Sequence, residues 1–195
     1  MANYVIILAA GNGKRLGSNT PKCFLKINKK PIYQFSLELF QLFSQIKQII
    51  LVVPKRYVNK VKIANDKIKV VAGGTTRNES FELGLKAIKY ICKHDKIIIH
   101  DAARINVQVE DIVKILDSEL TFGTLCYLGN KNKSDLRFGK YNIQTPQFCK
   151  YFIYKLVKFR SKFVHNCCNR LQKVINCTNV KACFAPTKYY RRKSL

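Results

Sequence analysis

The sequence predicts an α/β fold, a mostly parallel sheet covered by helices on both faces. Three observations carry this expectation. Short runs rich in Ile and Val recur at Tyr4–Leu8, Ile49–Val53, Ile68–Val71 and Ile97–Ile99, each too short for a buried helix. Segments with helical spacing lie between them. The chain of 195 residues is 47 % hydrophobic and has no low-complexity linker, which suits one folded unit.

Taken in order, Tyr4–Leu8 is the first strand. The apolar stretch from Tyr4 to Ala10 is far too short to span a bilayer and has no basic residue before it, so neither a membrane span nor a signal peptide is expected. Ile32, Phe35, Leu39, Phe40 and Phe43 then share one face of a helix. Ile49–Val53 and Ile68–Val71 are the next strands. Phe81, Leu85, Ile88 and Ile91 mark a second helix, Ile97–Ile99 a fourth strand, and Val109, Ile112, Val113 and Leu116 a third helix. Past Glu119 the pattern loosens: a strand at Thr124–Leu128, a polar stretch over Gly129–Lys140, and a helix around Tyr151–Phe159. Ligands of such sheets bind beyond the carboxyl ends of the strands, so chemistry is expected in the loops after Leu8, Val71 and Ile99.

The formal charge of +25, from 36 Lys and Arg against 11 Asp and Glu, attracts polyanions. The excess is mostly lysine spread along the chain, and only Lys188–Lys193 is a dense run. No zinc finger, RNP-like aromatic motif or basic recognition helix accompanies it, so a dedicated nucleic-acid binder is not favoured. A basic surface serves a nucleotide enzyme equally well. The eight cysteines are scattered through a chain long enough to bury a core without disulfides, and read as reduced thiols in a cytoplasm. His165 with Cys167, Cys168, Cys177 and Cys183 lacks the C-x-x-C spacing of a zinc site.

The first loop reads Leu8-Ala9-Ala10-Gly11-Asn12-Gly13-Lys14-Arg15-Leu16-Gly17, with Pro21-Lys22 after it. Small residues directly after a strand let backbone N–H groups approach a triphosphate, and Lys14, Arg15 and Lys22 can neutralise it. The spacing is neither G-x-G-x-x-G nor G-x-x-x-x-G-K-[ST]. The second loop, Ala72-Gly73-Gly74-Thr75-Thr76-Arg77-Asn78-Glu79-Ser80, allows close approach to a base and offers a hydroxyl to its polar edge; Thr76 or Asn78 could equally be a helix cap. In the third, His100-Asp101-Ala102-Ala103-Arg104, the carboxylate can hold Mg²⁺ or a ribose hydroxyl and the guanidinium a phosphate. Asp101 and Arg104 could also simply pair with each other, and His100 reads as structural.

In this order the motifs A-A-G-x-G-x-R-[LM]-G, P-K, G-G-x-x-R-x-x-S and H-D-A-A-R resemble the 2-C-methyl-D-erythritol 4-phosphate cytidylyltransferase family, with the ribitol-5-phosphate cytidylyltransferases as close relatives. The resemblance is good from Val5 to about Phe152. It implies a Rossmann-like three-layer nucleotidyltransferase fold in one domain over residues 1–195. It also implies transfer of CMP from CTP to a polyol phosphate with release of pyrophosphate, and Mg²⁺ as cofactor. By the same resemblance Arg15 and Lys22 are catalytic. Ala9, Ala10, Gly11, Gly13, Gly73, Gly74, Arg77 and Ser80 bind the nucleotide. Asp101 serves the metal or ribose, and Arg104, Arg137, Thr145 and Lys181 bind the acceptor. Arg137 and Thr145 come from Arg137–Phe148, similar to the family's R-x-G-x-W-x-x-x-T-P-Q-F, and Lys181 from Asn179-Val180-Lys181.

Two departures qualify the resemblance. The family's arm, which reaches across a dimer, is shortened near 129–141, so any homodimer is expected to have a reduced contact. The family's T-D-E-A-S is replaced by His165-Asn166-Cys167-Cys168-Asn169, which removes acidic groups beside the acceptor pocket. A polyol-phosphate acceptor other than 2-C-methyl-D-erythritol 4-phosphate, or a degenerate nucleotide-binding protein, therefore stand as alternatives.

Overall fold

A computed structural model describes residues 1–11 and 20–118, together with the backbone of three strands at 122–128, 137–138 and 141–150. The expected strands are present: β1 (Asn3–Leu8), β4 (Ile46–Val53), β5 (Ile68–Ala72) and β6 (Lys96–Asp101). Between β1 and β4 lie a hairpin of two short strands, β2 (Lys26–Ile27) and β3 (Lys30–Pro31), and the helix α1 (Ile32–Gln41). The hairpin turns through Asn28 and Lys29 at φ of 50° and 67°, the left-handed pair a two-residue turn of this kind requires. Helices α2 (Arg77–Lys86) and α3 (Val109–Asp117) follow β5 and β6, and β7 (Phe122–Leu128), β8 (Arg137–Phe138) and β9 (Tyr141–Lys150) complete the sheet.

The strand order is β5-β4-β1-β6-β9-β7, with β8 paired to β9. β5, β4, β1 and β6 are mutually parallel, and β9 runs antiparallel to β6 and β7. Period-two alternation divides the strand residues between two cores. Val5, Ile7, Ile49, Leu51, Val53 and Ile98 pack with Leu37 and Phe40 of α1 and Ile112 and Ile115 of α3. Tyr4, Ile6, Ile50, Val52, Ile97 and Ile99 pack with Phe81 and Leu85 of α2. Helices thus cover both faces, the three layers expected.

Three lysines that composition cannot distinguish from the rest take structural posts. Lys67 Nζ donates to the carbonyl of Phe43 (2.6 Å) and Lys69 Nζ to that of Ala87 (3.0 Å), just past the ends of α1 and α2. Burial pushes the Lys67 amine below its ordinary pKa. Lys96, fully buried at the start of β6, donates to the carbonyls of Ile115 (2.7 Å), Leu116 (2.9 Å) and Ser118 (2.8 Å). A cation there satisfies carbonyls that α3 cannot pair internally and opposes the negative end of its dipole. Lys96→Met keeps much of the volume but strands these acceptors, and should lower unfolding free energy by about 3 kcal/mol in urea titration.

The same contacts explain where helical spacing overruns the helices. Ile88 and Ile91 continue the apolar face, yet α2 ends at Lys86. The amides of Ala87 and Ile88 donate to the carbonyls of Gly84 and Leu85, tightening the last turn, and the carbonyls of Ala87 and Tyr90 accept from Lys69 Nζ and Tyr4 Oη. Ile88 still reaches the core, 5 % exposed, but as a loop residue. The strand expected at Thr124–Leu128 is β7, whereas the arm residues 129–136 and the helix expected near Tyr151–Phe159 lie outside the described residues.

Candidate active site

The parallel strands end level with one another. Leu8 pairs with Val52 on one side and Asp101 on the other, and Val53 pairs with Ala72. Backbone bonds extend that edge by one residue: Ala9 N to Val52 O (2.8 Å), Gly73 N to Val53 O (2.8 Å) and Ala102 N to Leu8 O (3.0 Å). The three loops singled out in the sequence therefore leave one edge of the sheet together. They do so where β1's crossover leads towards β4 and β6 returns on its other side, the topological switch point at which such sheets bind ligands.

The first and second loops touch. A Cβ built on Gly73 would stand 2.4 Å from Ala10 Cβ, 2.8 Å from Ser80 Oγ and 3.2 Å from Val52 Cγ1, so the absence of a side chain at Gly73 permits the approach. Ala9 is buried in the core, which leaves its backbone for any ligand, while Gly11 is exposed. Gly74 N donates to Ser80 Oγ (3.1 Å), so the buried serine hydroxyl braces its own loop. Thr76 is the helix cap: its side chain accepts from Glu79 N, and Glu79 closes the capping box. Glu79 Oε2 also accepts from the Thr75 hydroxyl (2.6 Å) and amide (2.7 Å), and these bonds hold its carboxyl below the ordinary pKa. The second loop is therefore rigid and presents Arg77 on the first turn of α2.

Arg77 and Asp101 meet across 24 residues of sequence. Arg77 Nε and Nη2 both donate to Asp101 Oδ1 (2.9 and 2.8 Å), and Arg104 Nε donates to Oδ2 (3.4 Å). The pairing of Asp101 with Arg104 is present, but the shorter bonds come from Arg77. Sequence spacing shows only the i, i+3 partner. The signal for the other is topological, since a crossover from β5 through α2 to β6 returns the start of α2 to the edge where β6 ends.

Lys22 opens a short 3-10 helix, Lys22–Phe24, and its side chain is exposed. Phe24 anchors that turn against Tyr33 of α1 (ring centroids 5.1 Å) and Tyr57 (4.2 Å). Behind Lys22 the Cys23 thiol is pushed up to about 11 by burial, opposed by the charge of Lys22 and reinforced by that of Asp101. Cys23 is thus an inert thiol within electrostatic reach of Asp101.

His100 is structural, as read from the sequence. It is fully buried, its Nε2 lies 3.1 Å from Ser36 Oγ of α1, and its ring meets Phe40 edge-on at 5.3 Å. Nδ1 has no hydrogen-bond partner among the described residues. Desolvation lowers its pKa to about 4 from 6.5. Between those values the unfolded chain binds the extra proton. Stability is therefore complete above pH 6.5 and should fall by about 3 kcal/mol as pH drops to 4. Urea midpoints of the wild type and His100→Asn across this range check it: the wild type should show a step that the variant lacks.

β9 brings a further motif to the same edge. It runs antiparallel to β6 with Ile99 opposite Gln147, so Thr145 and Pro146 come level with the carboxyl end of β6. Gln144 pairs with Leu125 and Gln147 with Thr124, which leaves Thr145-Pro146 as an irregularity in the β7 ladder. Bulges of this kind tolerate proline and occur beside active sites. Arg137, in β8, pairs with Asn142, still further beyond that edge. Gly13, Arg15 and Lys181 lie outside the described residues. At the opposite, amino-terminal end of the sheet a groove of about 920 Å³ is lined by Tyr4, Lys47, Lys69 and Tyr90, among others; none of the three loops reaches it.

Comparison with known proteins agrees with this arrangement. The family model of IspD, 2-C-methyl-D-erythritol 4-phosphate cytidylyltransferase, matches residues 3–127. The bifunctional enzyme IspD/IspF of Pelagibacter ubique is 35 % identical over 164 residues, 77 % of this chain but 44 % of that larger protein. The 2-C-methyl-D-erythritol 4-phosphate cytidylyltransferase of Thermotoga neapolitana is 32 % identical over 171 residues, 80 % of this chain and 75 % of the relative. The crystal structure of the Francisella tularensis enzyme of the same name superposes with a TM-score of 0.67 at 27 % identity, covering 92 % of this chain and 83 % of the other. With the family match spanning all three converging loops, the chain belongs to the 2-C-methyl-D-erythritol 4-phosphate cytidylyltransferase family.

Proposed function

We propose that the chain transfers CMP from CTP to 2-C-methyl-D-erythritol 4-phosphate and releases pyrophosphate, a step of isoprenoid precursor synthesis. The observation that carries this reading is the meeting of the three motif loops at one sheet edge, with Gly73 against Ala10 and Arg77 against Asp101. An acceptor phosphate oxygen attacks the α-phosphorus of CTP; the new P–O bond forms as the bond to the β-phosphate bridging oxygen breaks, and pyrophosphate leaves with its electrons. The attacking phosphate is already ionised at neutral pH and requires no general base. The protein's work is positioning and charge stabilisation.

In this reading Ala9–Gly11, Gly13, Gly73 and Gly74 pack against the nucleotide through backbone, and Arg15 and Lys22 oppose the charge gathering on the transferring group. Arg104, Arg137, Thr145 and Lys181 hold the acceptor. Asp101 serves the ribose hydroxyls and, with the nucleotide's phosphates, Mg²⁺. Asp101 is the carboxylate at this edge that would hold the ion; its oxygens are engaged by Arg77 and Arg104, so the nucleotide's phosphates would supply most of the ligands, and the ion would polarise the phosphoryl oxygens as a Lewis acid. Among the described residues no helix is long and apolar enough to cross a membrane, and the proposed setting is the cytoplasm.

Pyrophosphate release from CTP and Mg²⁺, with 2-C-methyl-D-erythritol 4-phosphate, ribitol 5-phosphate and other polyol phosphates supplied separately, tests the proposal. Release should be fastest with the first. Preference for another polyol phosphate would reassign the acceptor, and CTP binding without release from any would indicate a degenerate nucleotide-binding protein.

A further inference from the structure

We propose that Arg77 is a positioning residue that acts through Asp101, rather than a group that reads the cytidine directly. The inference rests on the cytidylyltransferase reading and refines the part played by one residue within it.

Arg77 commits two of its donors, Nε and Nη2, to a single oxygen, Asp101 Oδ1, at 2.9 and 2.8 Å. That edge of the guanidinium is occupied and cannot also meet a base. Its remaining terminal nitrogen, Nη1, is buried and has no hydrogen-bond partner among the described residues. The guanidinium's orientation is therefore set by Asp101 and not by satisfying all of its own donors. The base from which it reaches is rigid: Arg77 follows Thr76, whose capping box with Glu79 fixes the start of α2, and Asp101 is the last residue of β6. The charge-assisted pair of bonds holds Oδ1 in place, and Oδ2 lies 3.4 Å from Arg104 Nε. Arg104 is otherwise tethered by its own backbone, through its N–H to Asp101 O at 2.9 Å. An incoming phosphate can draw the Arg104 guanidinium towards itself, and Oδ2 then meets a ribose hydroxyl or phosphate-borne cation in a fixed direction. Nη1 is the donor on which a direct nucleotide contact would form, and a double-mutant cycle separates that role from one exercised through Asp101.

The test is a double-mutant cycle in CTP affinity and in kcat/KM for CTP, with every value normalised to the folded fraction from thermal unfolding. Arg77→Met should lower kcat/KM about 10–100-fold, as loss of an orienting partner does. Arg77→Lys should restore part of it, because a single ammonium keeps the charge and loses the fork. In the Asp101→Asn background the same Arg77→Met change should cost less than about 3-fold, since the group through which it acts is already altered. Additive losses, with Arg77→Met weakening CTP binding equally in both backgrounds, would overturn the proposal and make Arg77 a direct nucleotide contact. A wild-type chain that binds no CTP would overturn the cytidylyltransferase reading itself and this refinement with it, an outcome distinct from additivity in a chain that binds.

Discussion

Lys22→Ala should lower turnover about 10²–10³-fold while leaving CTP affinity close to that of the wild type. The backbone of this residue is pinned: Pro21 O accepts from Phe24 N (2.8 Å) and Lys22 O from Leu25 N (3.2 Å), and the Phe24 ring sits among Tyr33 and Tyr57. The side chain is exposed above the buried Cys23, which itself feels Asp101. An anchored stem with an exposed, hydrated ammonium gains most where negative charge builds up, on the transferring phosphoryl and departing pyrophosphate, so its loss falls on the transition state. Removing the side chain should leave the fold alone, because Cys23 and Phe24 supply the packing of that turn. Steady-state kinetics with each substrate varied separates the terms. A Lys22→Ala enzyme with near-wild-type kcat would show that this lysine is one more solvated cation in a chain that carries 36 Lys and Arg.

Gly73→Ala should reduce kcat/KM for CTP about 10²-fold, the scale of a reacting group displaced by about 1 Å. The new Cβ would stand 2.4 Å from Ala10 Cβ, which has no rotamer by which to yield, and 2.8 Å from Ser80 Oγ, which is tied to Gly74 N. The β1 and β5 loops must then separate, at a stability cost of about 1–3 kcal/mol. The close approach, not a special backbone angle, is what forbids the methyl group. Ala10→Gly in the same chain removes the nearest obstacle and should recover much of the activity and melting temperature. If Gly73→Ala binds and turns over CTP normally, the two loops do not form one nucleotide site.

Much of the scaffold was legible in the chain. Runs such as Ile49–Val53 can bury both faces only inside a sheet, and the 3.6-residue spacing of Val109, Ile112, Val113 and Leu116 leaves a helix little choice. Loop chemistry was legible too, because small residues after a strand and cap candidates such as Thr76 and Asn78 are local signals; that Thr76 is the cap and Glu79 completes its box was decided by the structure. The segment around Thr145 was not read as a strand. Its polar residues and Pro146 suppress strand propensity, and its partner, β6, lies more than forty residues earlier.

The sequence by itself determined the α/β class, the order of the four parallel strands' residues along the chain, the three loops that follow β1, β5 and β6, and the family that their motifs resemble. The first three depend on periodicity or composition within a dozen neighbouring residues, whereas the family rests on the resemblance of several motifs taken in order along the chain. Only the tertiary structure decided which side chains from separate loops complete one another. It gave Asp101 to Arg77 as well as to Arg104, set Gly73 against Ala10, and chose Lys67, Lys69 and Lys96 from an otherwise uniform scatter of lysines to receive helix-end carbonyls. The physical reason is common to all three. A short contact is decided by where two backbones end in space to within an ångström or so, and strand register and crossover geometry fix that only once the sheet has formed.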